Sequence, residues 1–145
     1  MTLQNLLGIS LDVVAADKAS VGMLIAAAER NIADAQLQGL STENRFDAAY
    51  KAIMQMAMVA LNANGYRTLK SKPGHHQTAI QTLPLTVGLP QPRVIVLDAL
   101  RKQRKLADYS GDLVSDAAAA ECVASAKELL AHVRMWLEAN RPELL

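Results

Sequence analysis

Along Leu97-Asp-Ala-Leu-Arg-Lys-Gln-Arg-Lys-Leu-Ala-Asp-Tyr109 an apolar stripe gives way to a charged one. At about 100° per residue, Leu97, Leu100, Arg101, Arg104 and Asp108 fall on one helix face, with Lys105 at its edge. Guanidinium groups on a core-facing stripe must be paired, line a cleft or meet a partner, because an isolated buried charge is costly. Their planar forks suit phosphate. The plainest arrangement is an i,i+4 pair of Arg104 with Asp108 at a solvated helix end.

A second polar cluster is Asn44-Arg-Phe-Asp-Ala-Ala-Tyr-Lys51. Asp47 and Tyr50 lie about 60° apart on a helix and share a broad face. Asp47 is therefore a candidate partner for Arg101 or Arg104. Arg45, Asp47, Tyr50 and Tyr109 are expected in structural or cleft pairing.

His75 and His76 are neighbours, so on a helix they point about 100° apart and chelate a metal poorly. They suit a phosphate contact at a helix start, or simply a polar loop end. His132, beside Val133 and Trp136, reads as a helix-surface residue. The single cysteine, Cys122, sits in an Ala-rich stripe and reads as a small core residue. No nucleophile–base arrangement, glycine-rich phosphate loop, His-Glu-x-x-His motif or acid–base carboxylate pair occurs. No metal site and no cofactor is expected.

Net charge is only +1, but eight of the fifteen Lys and Arg fall between residues 67 and 105, against one acid, Asp98. Arg67, Lys70, Lys72, Arg93, Arg101, Lys102, Arg104 and Lys105 make this segment strongly positive. Such asymmetry suggests an anion-facing surface, with phosphate the favoured anion.

Long helices are needed to position these groups. The 145 residues fit one domain, 1–145, and 51% are hydrophobic with few aromatics, as in an all-α bundle rich in Ala and Leu. Residues 1–16 read as an N-terminal arm or short helix. A first long helix runs from about Asp17 or Ser20 to Gln38 and is ended by Gly39. Ser41 caps a second helix that runs to about Asn64, with Gly65 as its stop. That helix is apolar nearly all round, so it is central or lies in an interface. Its methionines read as core filler. A basic loop spans 66–74. A third helix, His75 to Val87, is short or kinked at Pro84. Val94 to about Tyr109 forms a fourth long helix after the Gly88–Pro92 break. Ser110-Gly111-Asp112 turns the chain, and Ser115 caps a last helix to about Asn140. The expected architecture is an up-and-down four-helix bundle with an additional short helix or two. No membrane span and no signal peptide are read, so a cytoplasmic location is expected.

Arg45-Phe-Asp-Ala-Ala-Tyr50 and Leu100-Arg-Lys-Gln-Arg-Lys-Leu-Ala-Asp-Tyr109, with the spacing of four long helices, resemble the HEPN superfamily over roughly residues 18–138. The resemblance implies a helical bundle that pairs as a homodimer, its motif helices meeting in a composite cleft. Members resemble ribonucleases of toxin–antitoxin, antiviral or RNA-processing systems, or non-catalytic partners of small nucleotidyltransferases. The catalytic pattern of the family is an arginine followed by a histidine. Here Arg101 fits the arginine and Asp108 stands where the histidine would be. An ionised carboxylate is acceptor-only and repels phosphate.

The favoured expectation is a non-catalytic homodimer that binds RNA or a nucleotide phosphate. Arg101, Arg104, Lys102, Lys105, Arg67, Lys70, Lys72, His75 and His76 would supply the binding surface. Few aromatics are available for stacking beyond Tyr66 and Tyr109, which argues against sequence-specific readout. The alternatives are an interaction module built on an Arg/Asp network, perhaps docking a nucleotidyltransferase, and a metal-independent ribonuclease. In the last, Arg101 or Arg104 would stabilise the transition state, with Asp108, His75 or His76 as base.

Overall fold

The computed structural model describes residues 2–111 and 113–145. After a 3-10 turn at Gln4–Leu6 come β1 (Leu11–Val13), α1 (Lys18–Asp34), α2 (Thr42–Ala63) and β2 (Tyr66–Thr68). Then follow α3 (His75–Gln81), α4 (Leu83–Val87), α5 (Gln91–Ser110), α6 (Asp116–Asn140) and a 3-10 turn at Pro142–Leu144. The fold is dominated by helix, as the composition predicts.

α2 is the central element. Phe46, Ala49, Tyr50, Ile53, Ala57 and Ala60 are buried along one stripe, and Met54, Met56, Val59 and Leu61 are buried on the other side. It packs chiefly between α1 and α6. Fully buried alanines on α2, with Ala119, Cys122 and Ala126 on α6, keep the helices close. Burial pushes the Cys122 thiol up to about 12, and its Sγ lies 3.6 Å from the Phe46 carbonyl oxygen. It is a core residue, as expected.

Caps fix the long helices. The Asp17 carboxylate accepts from the Ser20 backbone N–H at 3.2 Å, Ser41 Oγ from Asn44 at 3.2 Å, and Ser115 Oγ from Ala118 at 3.1 Å. α1 ends four residues before the expected Gln38. Its chain tightens into i→i+3 turns through Gln36 and Leu37, and the Gln36 side chain donates back to the Ile32 carbonyl. The expected third helix divides at Thr82. Pro84 then sits in the first turn of α4, where a missing N–H costs no intrahelical bond. α5 begins three residues earlier than expected, with Pro92 in its first turn for the same reason. Asp112 of the expected turn lies outside the described residues.

Two segments differ from their expected state. Residues 11–13 of the N-terminal arm and residues 66–68 of the basic loop pair as an antiparallel ribbon, Leu11 opposite Thr68 and Val13 opposite Tyr66. Leu11 is fully buried, which anchors the arm to the bundle. A strand of three residues has no periodicity to read, and its partner lies 55 positions away. His132 is half-buried rather than a free surface group. Its Nε2–H donates to the Val87 carbonyl at 2.7 Å, tying α6 to the end of α4. No helix among the described residues is long and apolar enough to cross a membrane.

Candidate functional site

α5 turns from core to cleft along its length. Val94, Leu97 and Leu100 are buried, and the next turns carry Arg101, Arg104, Lys105, Asp108 and Tyr109 to the edge of a cavity of about 400 Å³. α2 contributes Tyr50 from below. The opposite wall is the start of α3, with Gly74, His75, His76 and Gln77. Gly74 takes φ 79°, a left-handed conformation that costs glycine little and turns the chain into α3. Ala79 and Ile80 are buried, which docks α3 and fixes the two histidines over the cleft.

Tyr50 is the hinge of the arrangement. Its hydroxyl lies 3.1 Å from His76 Nδ1, and the Arg104 guanidinium carbon lies 5.0 Å from its ring centre. The ring faces Phe46 at 6.4 Å in a near-parallel stack. Burial is the main cause that raises the Tyr50 phenol to about 12, against the pull of Arg104 and Arg101. The phenol therefore keeps its proton and is able to donate it to His76 Nδ1. A neutral imidazole that accepts at Nδ1 carries its proton on Nε2. Burial first, then the charges of His75, Arg104 and Arg101, hold the His76 pKa below the usual imidazole range. His75 meets His76 edge to face at 4.6 Å between ring centres.

The two arginines differ. Arg101 Nε is 2.8 Å from Asp98 Oδ1, and Lys102 Nζ is 3.3 Å from the other oxygen of the same carboxylate. Those cations hold the Asp98 carboxyl below the usual carboxylate range despite its partial burial. Arg104 Nε lies 3.5 Å from Asp47 Oδ1 on α2. That separation makes an ion pair but no hydrogen bond, so this buried N–H lacks a hydrogen-bond partner. The expected Asp47 contact is thus made by Arg104, and Arg104 pairs across to α2 rather than along α5 with Asp108. Both arginines line the cleft. Three cations face one lining carboxylate, Asp108.

Other residues read from the sequence lie elsewhere. Lys102 points to Asp98 at an exposed position. Arg67 pairs with Asp12 across the ribbon at 3.0 Å and, with Lys70, lines a separate cavity; Lys72 is exposed and lines neither. Arg45 is one residue removed from Phe46, on the opposite side of α2 from Asp47. It lines a groove with Lys127 of α6, its Nε buried without a hydrogen-bond partner. Arg93 joins Glu128 in an ion pair between α5 and α6. Gly74 and Gln77 are the lining residues that the sequence reading missed, and they flank the histidine pair at the start of α3. Among the described residues no cluster of His, Cys, Asp or Glu is arranged to hold a metal ion. Comparison with protein-family profiles, with curated proteins and with solved structures gives no match.

Proposed function

We propose that the protein is a HEPN-like, non-catalytic binder of RNA or nucleotide phosphate, and that the α2–α3–α5 cleft is its phosphate site. One observation carries this reading. Arg101, Arg104, Lys105, His75 and His76 converge on one cavity, while a single carboxylate lines it. The Nη groups of Arg101 and Arg104 grip phosphate oxygens, while the buried Arg104 Nε stays turned toward Asp47. His76 adds a neutral Nε2–H donor. A proton held on Nε2 favours binding over cleavage, because that nitrogen then cannot accept the proton of a 2′-hydroxyl. The two segments that carry the HEPN resemblance also pack against each other here, through Arg104 with Asp47 and Tyr50.

The test is incubation of purified protein with labelled single-stranded RNA at low and moderate salt, beside Arg104→Ala. Binding without cleavage that weakens with salt and with the substitution is the expected result. Cleavage lost in the variant would make the protein a ribonuclease. Binding indifferent to both salt and Arg104 would overturn the site.

A second reading rests on a different surface. The outer face of α5 exposes Ile95 (62%) and Leu106 (62%), with the exposed Lys102 side chain between them. Exposed apolar side chains flanking a lysine suit a protein partner, a second copy or a small nucleotidyltransferase. Sedimentation of wild type and Leu106→Glu distinguishes it: a dimer that dissociates in the variant supports the interaction reading.

A further inference from the structure

A second cavity, of about 450 Å³, opens toward the C-terminal end of α2, between α1, α2 and the two-stranded ribbon. Its size falls within the roughly 300–1,000 Å³ of small-molecule sites. None of the cleft residues lines it. Its wall is apolar, with Leu24 of α1, Met58 and Leu61 of α2, and Leu69 just after β2. Leu24, Met58 and Leu69 are only half-buried, so apolar surface remains open to the cavity. Its remaining lining is polar and cationic. Lys70 has no acidic partner among the described residues. Arg67 neutralises Asp12, whose carboxyl it holds below the usual range. The Asn62 side-chain oxygen is used by the Asp17 backbone N–H at 3.1 Å, which orients its amide and leaves the NH2 group as a donor.

We propose that this cavity binds a small amphipathic anion, a hydrocarbon body with a carboxylate head. The body covers Leu24, Met58, Leu61 and Leu69, and that burial drives binding. The head meets Lys70 and the Asn62 amide, with Arg67 alongside. Asp12 does not repel it, because Arg67 already pairs with that carboxylate. The ribbon gives the site its outer wall: β1 and β2 carry Asp12, Arg67 and Thr68, and Leu69 and Lys70 follow directly.

The proposal is tested by calorimetric titration of the full chain with decanoate below its micelle concentration, and with decanol in parallel. Wild type is expected to bind one decanoate saturably and decanol more weakly. Lys70→Glu, at an exposed position, should weaken decanoate roughly tenfold or more, as reversal of one adjacent charge gives, and leave decanol little changed. Met58→Trp fills the cavity and should abolish both. Arg104→Ala, in the other cleft, should leave decanoate binding as in wild type. Absence of saturable decanoate binding, equal affinity for decanol, or decanoate binding unmoved by Lys70→Glu would each overturn the proposal. The Lys70→Glu comparison decides the matter should the tryptophan variant fold poorly.

Discussion

The Tyr50 hydroxyl meets His76 Nδ1 at 3.1 Å, a contact between side chains 26 residues apart. It fixes which imidazole nitrogen faces the ligand. The phenol, pushed up to about 12 by burial, has a proton to donate, and a Tyr50 that donates to Nδ1 leaves His76 presenting Nε2–H. Nitrogen-detected NMR at pH 7.5 should find His76 in the Nε2–H form. Tyr50→Phe removes the donor, and the His76 signals should shift toward a mixture of tautomers while the far-ultraviolet circular dichroism stays that of wild type. A wild-type His76 protonated at Nδ1 would remove the argument against catalysis.

The same residue makes binding depend on pH. A bound phosphodiester keeps its single charge over the range from pH 7.5 to 5.5, so any change in affinity comes from the protein. An anion beside His76 favours the imidazolium and raises its pKa toward or above the ordinary value. Binding therefore takes up a proton, and affinity should rise as pH falls. His76→Gln should flatten that rise. A slope that persists in the variant would show that His76 is not its source.

Stability should move the opposite way. The folded protein holds the His76 pKa below its unfolded value of 6.5. Below that value the unfolded chain binds more protons than the native one. The contribution is present in full above about pH 6.5 and is lost as pH falls through the folded pKa. Urea unfolding at pH 7.5 and 5.5 should show the ligand-free protein weaker at the lower pH. His76→Gln should lessen the difference.

How far the sequence discloses this arrangement depends on whether a signal is local. Ser41 and Ser115 lie directly before apolar-periodic runs, and each caps its helix as read. The all-round apolar character of α2 predicts its central place. On α5 the passage from leucine to arginine marks the depth at which the helix leaves the core. The cleft itself spans three segments, and no local pattern reports that α3 folds His76 onto Tyr50. One clue was available: His76 is three and four positions before the buried Ala79 and Ile80, so it shares their inward face. Arg45 and Asp47 were legible too, because residues two apart on a helix diverge. The ribbon was not legible, since three-residue strands show no alternation and take their register from a distant partner.

The ion pair that joins α2 to α5 adds little to stability. Arg104 and Asp47 side chains are 36% and 52% exposed, and pairs of that kind contribute about 0.2–1 kcal/mol. A double-mutant cycle with Arg104→Ala and Asp47→Ala should give a coupling energy of less than about 1 kcal/mol, measured by urea unfolding. Asp47→Ala alone frees the guanidinium from its carboxylate and should tighten RNA binding.

Arg104 also sets function against stability. Its stem continues the stripe of Leu97 and Leu100, and its buried Nε–H has no hydrogen-bond partner. A buried donor in that state costs about 1–3 kcal/mol. Against it stand the contact with the Tyr50 ring, about 0.5–1 kcal/mol, and the Asp47 ion pair, about 0.2–1 kcal/mol. The cost outweighs the gain. Arg104→Met keeps the apolar length of the side chain, removes the orphaned donor and lets the thioether rest on Tyr50. The variant should be more stable than wild type by about 0.5 kcal/mol in urea unfolding, and it should lose the salt-sensitive binding of RNA. A less stable Arg104→Met protein would mean that the arginine is retained for the fold and that the phosphate reading of the cleft has lost its best residue.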